Sequence, residues 1–204
     1  FIEYARDISR MASDRGLKSF VVTNGYYNSI PFGDLCSVTD AIKIDLKAFT
    51  DSYYRKICGG TLKPVLENIV RAREQGVWLE LVYLMVPTLN DSPEDIRRMV
   101  KWIIRNAGDE VPIHFSRFFP QYKLKNLPPT PLSSLERAYR ICRDEGLKFV
   151  YIGNVPGRGR ENTYCPSCSA LVIERKGYRV ESINMKGDRC GECGEVIPGI
   201  WDVV

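Results

Sequence analysis

Five short apolar runs, each closed by turn-forming residues, alternate along this chain with amphipathic stretches of about 10 to 15 residues. That alternation restricts the fold more than any other feature. The runs SFVVTNG (19–25), AIKIDL (41–46), VWLELVYLMV (77–86), VPIHFSRF (111–118) and KFVYIG (148–153) are predicted strands, and the first reads as a buried one. A helix over 1–15 carries Phe1, Ala5, Ile8 and Met11 on one face and stops at Gly16. A second, over 62–75, turns Val65, Leu66, Ile69 and Val70 inward and stops at Gly76. Ser92 caps a third, with Pro93 at its first position and a stripe of Ile96, Met99, Val100 and Ile103. Thr130 and Pro131 open a fourth, carrying Leu135, Ala138 and Cys142 and stopping at Gly146. Successive βαβ units mean an α/β fold with a parallel sheet. A barrel, part of a barrel and an open doubly wound sheet all fit. No G-x-G-x-x-G follows a strand, which argues against a dinucleotide-binding fold.

With 204 residues, 44% hydrophobic and 26% charged, the chain has material for one large domain and a small appendage. The polar link NVPGRGRENTY (154–164) sets the boundary near 160, giving domains over 1–160 and 161–204. The net charge of +4 permits an anionic ligand but falls short of a nucleic-acid binder's basic footprint. No apolar run reaches the roughly 18 residues of a membrane span, so no membrane partner is expected. The chain opens on Phe1 rather than Met, directly in a helical pattern, and the expectation is a piece of a longer protein. Cys36, Cys58 and Cys142 are isolated, and cysteine is too sparse for a disulfide scaffold, so a reducing, cytoplasmic setting is expected.

The other four cysteines stand as CPSC (165–168) and CGEC (190–193), with 21 residues (169–189) between the pairs. Two intervening residues let both thiolates of a pair reach one ion from a tight turn. ALVIERK and YRVESINM flank Gly177 as a β-hairpin that brings the pairs together. Cys165, Cys168, Cys190 and Cys193 are therefore predicted metal ligands in a zinc-ribbon tail. A rubredoxin-like iron site, two disulfides or a redox pair remain the alternatives. Ser169 departs from the pattern, because a Gly often follows the second cysteine. The motif says metal and is silent on activity.

Chemistry in parallel α/β sheets collects at the strands' carboxyl ends. Those ends offer Thr23-Asn24-Gly25, Asp45-Leu46-Lys47, Val86-Pro87 with Asn90-Asp91, and Ser116, Arg117 and Pro120. Caps and turns favour the same residue types, so singly each reads as structural. Together, VTNGY (22–26), IDLKAF (44–49), YRKICGG (54–60), VPTLNDS (86–92), SRFFPQY (116–122), GNVPG (153–157) and NTYCPSC (162–168) run in one order. In that order the chain resembles the carboxyl-terminal part of radical S-adenosylmethionine enzymes. It is similar to the pyruvate formate-lyase activating enzyme group, and most to the radical enzyme of the AmmeMemoRadiSam system.

The resemblance implies a partial (β/α) barrel missing its first two units, followed by the four-cysteine zinc ribbon. The implied chemistry is reductive cleavage of S-adenosylmethionine to a 5′-deoxyadenosyl radical, which takes a hydrogen from an unidentified substrate, with a protein as one candidate. The Cys-x3-Cys-x2-Cys loop that binds the 4Fe-4S cluster is absent here, so the cluster's ligands lie outside this chain and the chain alone is expected to be inactive. The resemblance places Thr23, Asn24, Asp45, Lys47, Val86 and Pro87 beside the cofactor, with Lys47 at the active-site mouth. Val22 stands where activating enzymes often have Asp, and Val82 where some relatives have Arg.

Lys47 and His114 are the catalytic candidates, although a strand histidine is also commonly a hydrogen-bonded structural residue. Arg158 and Arg160 lie on a loop that either greets an anionic substrate or is simply solvated. The rival reading is a non-catalytic zinc-ribbon module that holds a protein or nucleic acid. A barrel lacking two units would leave SFVVTN as an unpaired edge, so dimerisation or strand exchange is a further expectation.

Overall fold

The computed structural model describes residues 1–155, 159–177 and 179–201. Strands β1 (Phe20–Thr23), β2 (Ala41–Asp45), β3 (Trp78–Met85), β4 (Ile113–Arg117) and β5 (Val150–Gly153) form a parallel sheet in the order β1-β2-β3-β4-β5. Strand order equals chain order, without the reversal of a doubly wound sheet. Helix α1 (Ile2–Ser13) precedes β1, and α2 (Ser29–Cys36) follows it. A short α3 (Asp51–Tyr53), a π-helical turn (Tyr54–Cys58) and α4 (Lys63–Glu74) connect β2 to β3. Helices α5 (Pro93–Asn106) and α6 (Leu132–Asp144) make the last two crossovers.

Burial alternates along β3: Leu79, Leu81, Tyr83 and Met85 are buried, while Trp78, Glu80, Val82 and Leu84 are half-buried. Register carries this division across the sheet. Ile42, Leu79 and their neighbours share one face, where Ile69 of α4, Val100 of α5 and Leu135 of α6 complete a common core. The other face holds Lys43, Asp45, Glu80, His114 and Tyr151 and contributes nothing to that core.

Two expectations fail on this one-sidedness. β1 is not a buried strand: it pairs with β2 alone among the described residues, and Phe20 and Val22 are 51% and 62% exposed on the open face. Helix α1 does not bury its apolar stripe either. Phe1, Ile8 and Met11 face solvent, and the helix turns the other way, with Ser9 buried against Thr39. The last helix opens directly after Thr130 and Pro131, as expected. Pro131 occupies its cap position, and Thr130 instead spends its hydroxyl on the Met85 carbonyl (2.5 Å) and the Phe118 N–H (2.8 Å). Thr130 therefore ties the end of β3 to the end of β4.

After β5 the chain builds a small antiparallel unit. β6 (Thr163–Tyr164), β7 (Leu171–Lys176) and β8 (Arg179–Ile183) form one sheet, and β9 (Met185–Lys186) and β10 (Arg189–Cys190) form another. A second apolar cluster joins Phe149, just before β5, to Cys165, Val172, Ile173, Cys190 and Ile197 of this unit. No described helix is long and apolar enough to cross a membrane.

One-sided packing sets the expected cost of mutation. Leu81→Ala should lower unfolding free energy by about 2–5 kcal/mol, whereas Ile8→Ser on the exposed side of α1 should change it by less than about 0.5 kcal/mol. Urea titrations of both variants check this.

Candidate functional site

Parallel order brings the ends of β1, β2 and β3 to one edge of the sheet, yet the predicted residues there take different postures. Thr23 lies on the core face, opposite Ile44, and is buried. Its hydroxyl donates to the Tyr27 hydroxyl (3.0 Å) and accepts from the Gly25 N–H (3.2 Å). Asn24 is exposed, and its carbonyl oxygen accepts from the Tyr26 N–H (3.0 Å), closing an Asx turn. Gly25 between them has φ 68°, and a Cβ there would sit 2.8 Å from Ile44 Cγ2, so the turn needs glycine on both conformational and steric grounds. Buried Asn68 on α4 donates to the carbonyls of Gly25 and Tyr27, each at 2.9 Å.

Asp45 and Lys47 meet directly, Nζ to Oδ2 at 2.6 Å, with both side chains about a third exposed. The Lys47 N–H donates to the hydroxyl of buried Tyr54 (3.1 Å), the first residue of the π-turn. Val86 and Pro87 are both buried and offer a ligand little side-chain surface. Their loop hangs on Asn90, which is 3% exposed. Its Nδ2 donates to the carbonyls of Lys47 (2.7 Å) and Leu84 (2.9 Å), and its Oδ1 accepts from the Val86 N–H (2.6 Å). The hydroxyl of Tyr83 donates to the Asn90 carbonyl at 2.7 Å. One amide therefore locks the ends of β2 and β3 together.

His114 stands apart from this edge. It lies on the open face in register with Val82, which in turn pairs with Asp45, so two strand spacings, about 10 Å, separate it from Asp45. Its Nε2 meets Glu80 Oε2 at 3.0 Å, and its ring stacks on Tyr151 with centroids 4.8 Å apart. Burial pushes the Glu80 carboxyl up, but bonding to His114, its charge, and the Trp78 N–H together hold it below the usual value. Arg160 pairs with Glu136 (3.1 Å) and lies over the Tyr139 ring. Arg158 is outside the described residues.

The four sulfurs of Cys165, Cys168, Cys190 and Cys193 lie within 4.8 Å of one another. Cys165–Cys193 and Cys168–Cys190 are 3.6 and 3.8 Å apart. These are far longer than a disulfide bond of about 2.05 Å and close to the roughly 3.8 Å edge of a tetrahedron built on 2.3 Å metal–sulfur bonds. The geometry is that of a metal site. The two Cys-x-x-Cys turns match bond for bond. Ser169 N–H reaches the Cys165 carbonyl and Gly194 N–H the Cys190 carbonyl, both at 3.0 Å. Cys165 N–H goes to Ala170 (2.9 Å) and Cys190 N–H to Glu195 (2.8 Å). Both turns need a left-handed residue, with φ 63° at Ser169 and 77° at Gly194. Backbone N–H groups of Cys193 and Glu192 lower the Cys190 thiol, while hydrogen bonds from neighbouring sulfurs raise those of Cys168 and Cys193, as expected where four thiols share one small space.

Sequence reasoning missed Asn68 and Tyr54, and it noted Asn90 without its clamp role. It also missed Glu80, a charged residue inside an apolar run, whose position on the alternate face was the available signal.

No family model matches the chain. An uncharacterized protein of Methanocaldococcus jannaschii is 44% identical over 199 residues, covering 97% of this chain and 59% of that protein. The pyruvate formate-lyase-activating enzyme of Clostridium pasteurianum is 28% identical over 137 residues, covering 61% of this chain and 56% of the enzyme. The chain thus spans under two thirds of the length of either relative. Among solved structures, a domain of a pyruvate-formate lyase-activating enzyme from Bacteroides vulgatus aligns with a TM-score of 0.65 at 17% identity, covering 75% of this chain and 91% of that domain. Streptococcus suis SuiB bound to S-adenosylmethionine aligns at 0.59 and 12% identity, covering 73% and 36%. These two share the fold.

The matched cysteine turns make one position testable. Ser169→Gly removes a left-handed strain of about 1 kcal/mol and should raise the stability of the metal-loaded chain by up to that amount. Gly194→Ala should lower it. Chelator competition and thermal unfolding of both variants read the effect.

Proposed function

We propose that the chain is the cofactor-supporting part of a radical S-adenosylmethionine enzyme of the pyruvate formate-lyase activating type. In this reading residues 1–160 are part of a (β/α) barrel and 161–204 a zinc ribbon. The observation that carries it is the coincidence of two facts. The motifs VTNGY, IDLKAF and VPTLNDS fall on three adjacent strand ends, and the relatives and fold neighbours with stated activities include activating enzymes. Sequential strand order and a polar open face support a barrel arc, because barrel strands run in order and place their sites at carboxyl ends.

S-adenosylmethionine, when bound to a reduced 4Fe-4S cluster, supplies a 5′-deoxyadenosyl radical that abstracts hydrogen from the substrate. This chain's seven cysteines do not have the cluster's spacing, so these residues do not hold the cluster. The strand-end residues do fit the polar part of the cofactor. A partly exposed ion pair such as Asp45–Lys47 is worth on the order of 1 kcal/mol, so a ligand can replace it at low cost. Asp45 would accept from the cofactor's hydroxyl or amine groups, and Lys47 would turn to a carboxylate at the mouth. Thr23 and Asn24 shape the turn beside it, and Asn90 holds Val86 and Pro87 as an apolar wall. The Clostridium pasteurianum relative is named for activating pyruvate formate-lyase, itself an enzyme, so a protein substrate is proposed. Four thiolates at tetrahedral spacing suit zinc, which would fix the ribbon without taking part in the reaction.

Two measurements test this. The reading frame upstream of Phe1 should encode Cys-x3-Cys-x2-Cys, and a stop codon or unrelated sequence there would favour a stand-alone ribbon module instead. Metal analysis of the purified chain should give zinc near one equivalent with little iron, and iron in that site would overturn the zinc assignment.

A further inference from the structure

A cavity of about 600 Å³ lies between the open face of the parallel sheet and the cysteine unit. Small-molecule sites typically span about 300–1,000 Å³. Neither the Asp45–Lys47 pair nor any sulfur lines it. Its apolar wall is mostly aliphatic, with Ile152, Val180, Ile197, Pro198 and Ile200 among its residues. The charged side chains along it are Lys43, Glu80, Glu161 and Arg175. Glu80 is committed to protein partners: its Oε2 meets His114 Nε2 (3.0 Å), and its Oε1 accepts from Trp78 Nε1 (3.2 Å). Glu161 Oε2 is buried and does not face the space.

The two cations are less committed. Lys43 stands opposite Glu80 in register and lies over the Phe20 ring, 5.4 Å from its centroid, without an ion-pair partner among the described residues. Arg175 is half-buried and held by one nitrogen only. Its Nη1 donates to Thr163 Oγ1 (2.7 Å) and to the Glu161 carbonyl (3.1 Å), and Thr163 Oγ1 also meets the Tyr151 hydroxyl (3.1 Å). These bonds fix the guanidinium against the sheet. Its Nε and Nη2 have no hydrogen-bond partner among the described residues, and both keep solvent access. That edge of a guanidinium is a planar fork matched to the two oxygens of a carboxylate. Arg160 spends the same two nitrogens on the Glu136 carboxylate, at 3.5 and 3.1 Å. In Arg175 the fork is aligned and open.

We propose that this cavity binds a small aliphatic carboxylate, its two oxygens on Nε and Nη2 of Arg175 and its hydrocarbon body against Ile152, Ile197 and Ile200. Lys43 adds attraction for the anion from the sheet side. The site uses none of the strand-end residues, so it stands or falls independently of the radical-enzyme reading. Hexanoate is the probe, titrated into the intact metal-loaded chain and followed by calorimetry. The expected result is saturable binding that Arg175→Lys weakens at least tenfold, because lysine keeps the charge and loses the fork. Affinity should also rise roughly two- to fourfold per methylene from butyrate to hexanoate, as burial of the chain requires. Absence of saturable binding, equal affinity in Arg175→Lys, an affinity indifferent to chain length, or tighter binding of hexylamine than of hexanoate overturns the proposal. Should Arg175→Lys fail to fold, a crystal of the unaltered chain soaked in hexanoate decides. Carboxylate density on Nε and Nη2 of Arg175 supports the site, and only water there overturns it.

Discussion

One-sided burial of the parallel sheet is the constraint from which the rest of this molecule follows. Leu79, Leu81, Tyr83 and Met85 face the helices, and each fully buried side chain of this kind is worth about 1.5–3 kcal/mol. The matching positions on β2, β4 and β5 add to the same cluster. Because this face carries the packing, the opposite face is free to hold Lys43, Asp45, Glu80 and His114. Charged residues tolerate such positions only where solvent or partners reach them.

An open face leaves strand-end loops without support from that side, and the chain supplies support from within. Asn90 reaches three backbone groups on two strand ends, Thr130 bridges β3 and β4, and Asn68 holds the turn after β1. All three are nearly fully buried. Buried polar groups with every bond satisfied specify one arrangement, so the loops bearing Asn24, Asp45 and Lys47 are held in place before any ligand arrives. Partial exposure of the Asp45–Lys47 pair, by contrast, keeps it exchangeable.

The strands and long helices were legible because their periods differ, and the glycine stops at 16, 76 and 146 all adopt positive φ. Periodicity does not say which apolar stripe is buried. Helix α1 reads as inward along Phe1, Ile8 and Met11, but the side it buries carries Ser9, bonded to buried Thr39. Helix α2 itself was invisible, since SIPFGDLC contains Pro and Gly and lacks an amphipathic stripe, and Phe32 and Leu35 are recruited by tertiary burial. The cysteine quartet was fully readable, because spacing alone dictates a shared site. The bonds of Thr130 and Asn90 were not, because a hydroxyl or amide at a turn gives no sign of its distant partner.

Two cores of unequal standing result. The sheet and its helices share one large buried apolar cluster, whereas the cysteine unit has a small one, Val172, Ile173 and Ile197 against Phe149, and leans on its sulfurs. A unit that small draws much of its folding free energy from metal. Hydrogen–deuterium exchange before and after metal removal tests this directly. The account predicts that β6–β10 lose protection while β2, β3 and β4 keep theirs. Loss of protection throughout the chain, or none in β6–β10, would contradict it.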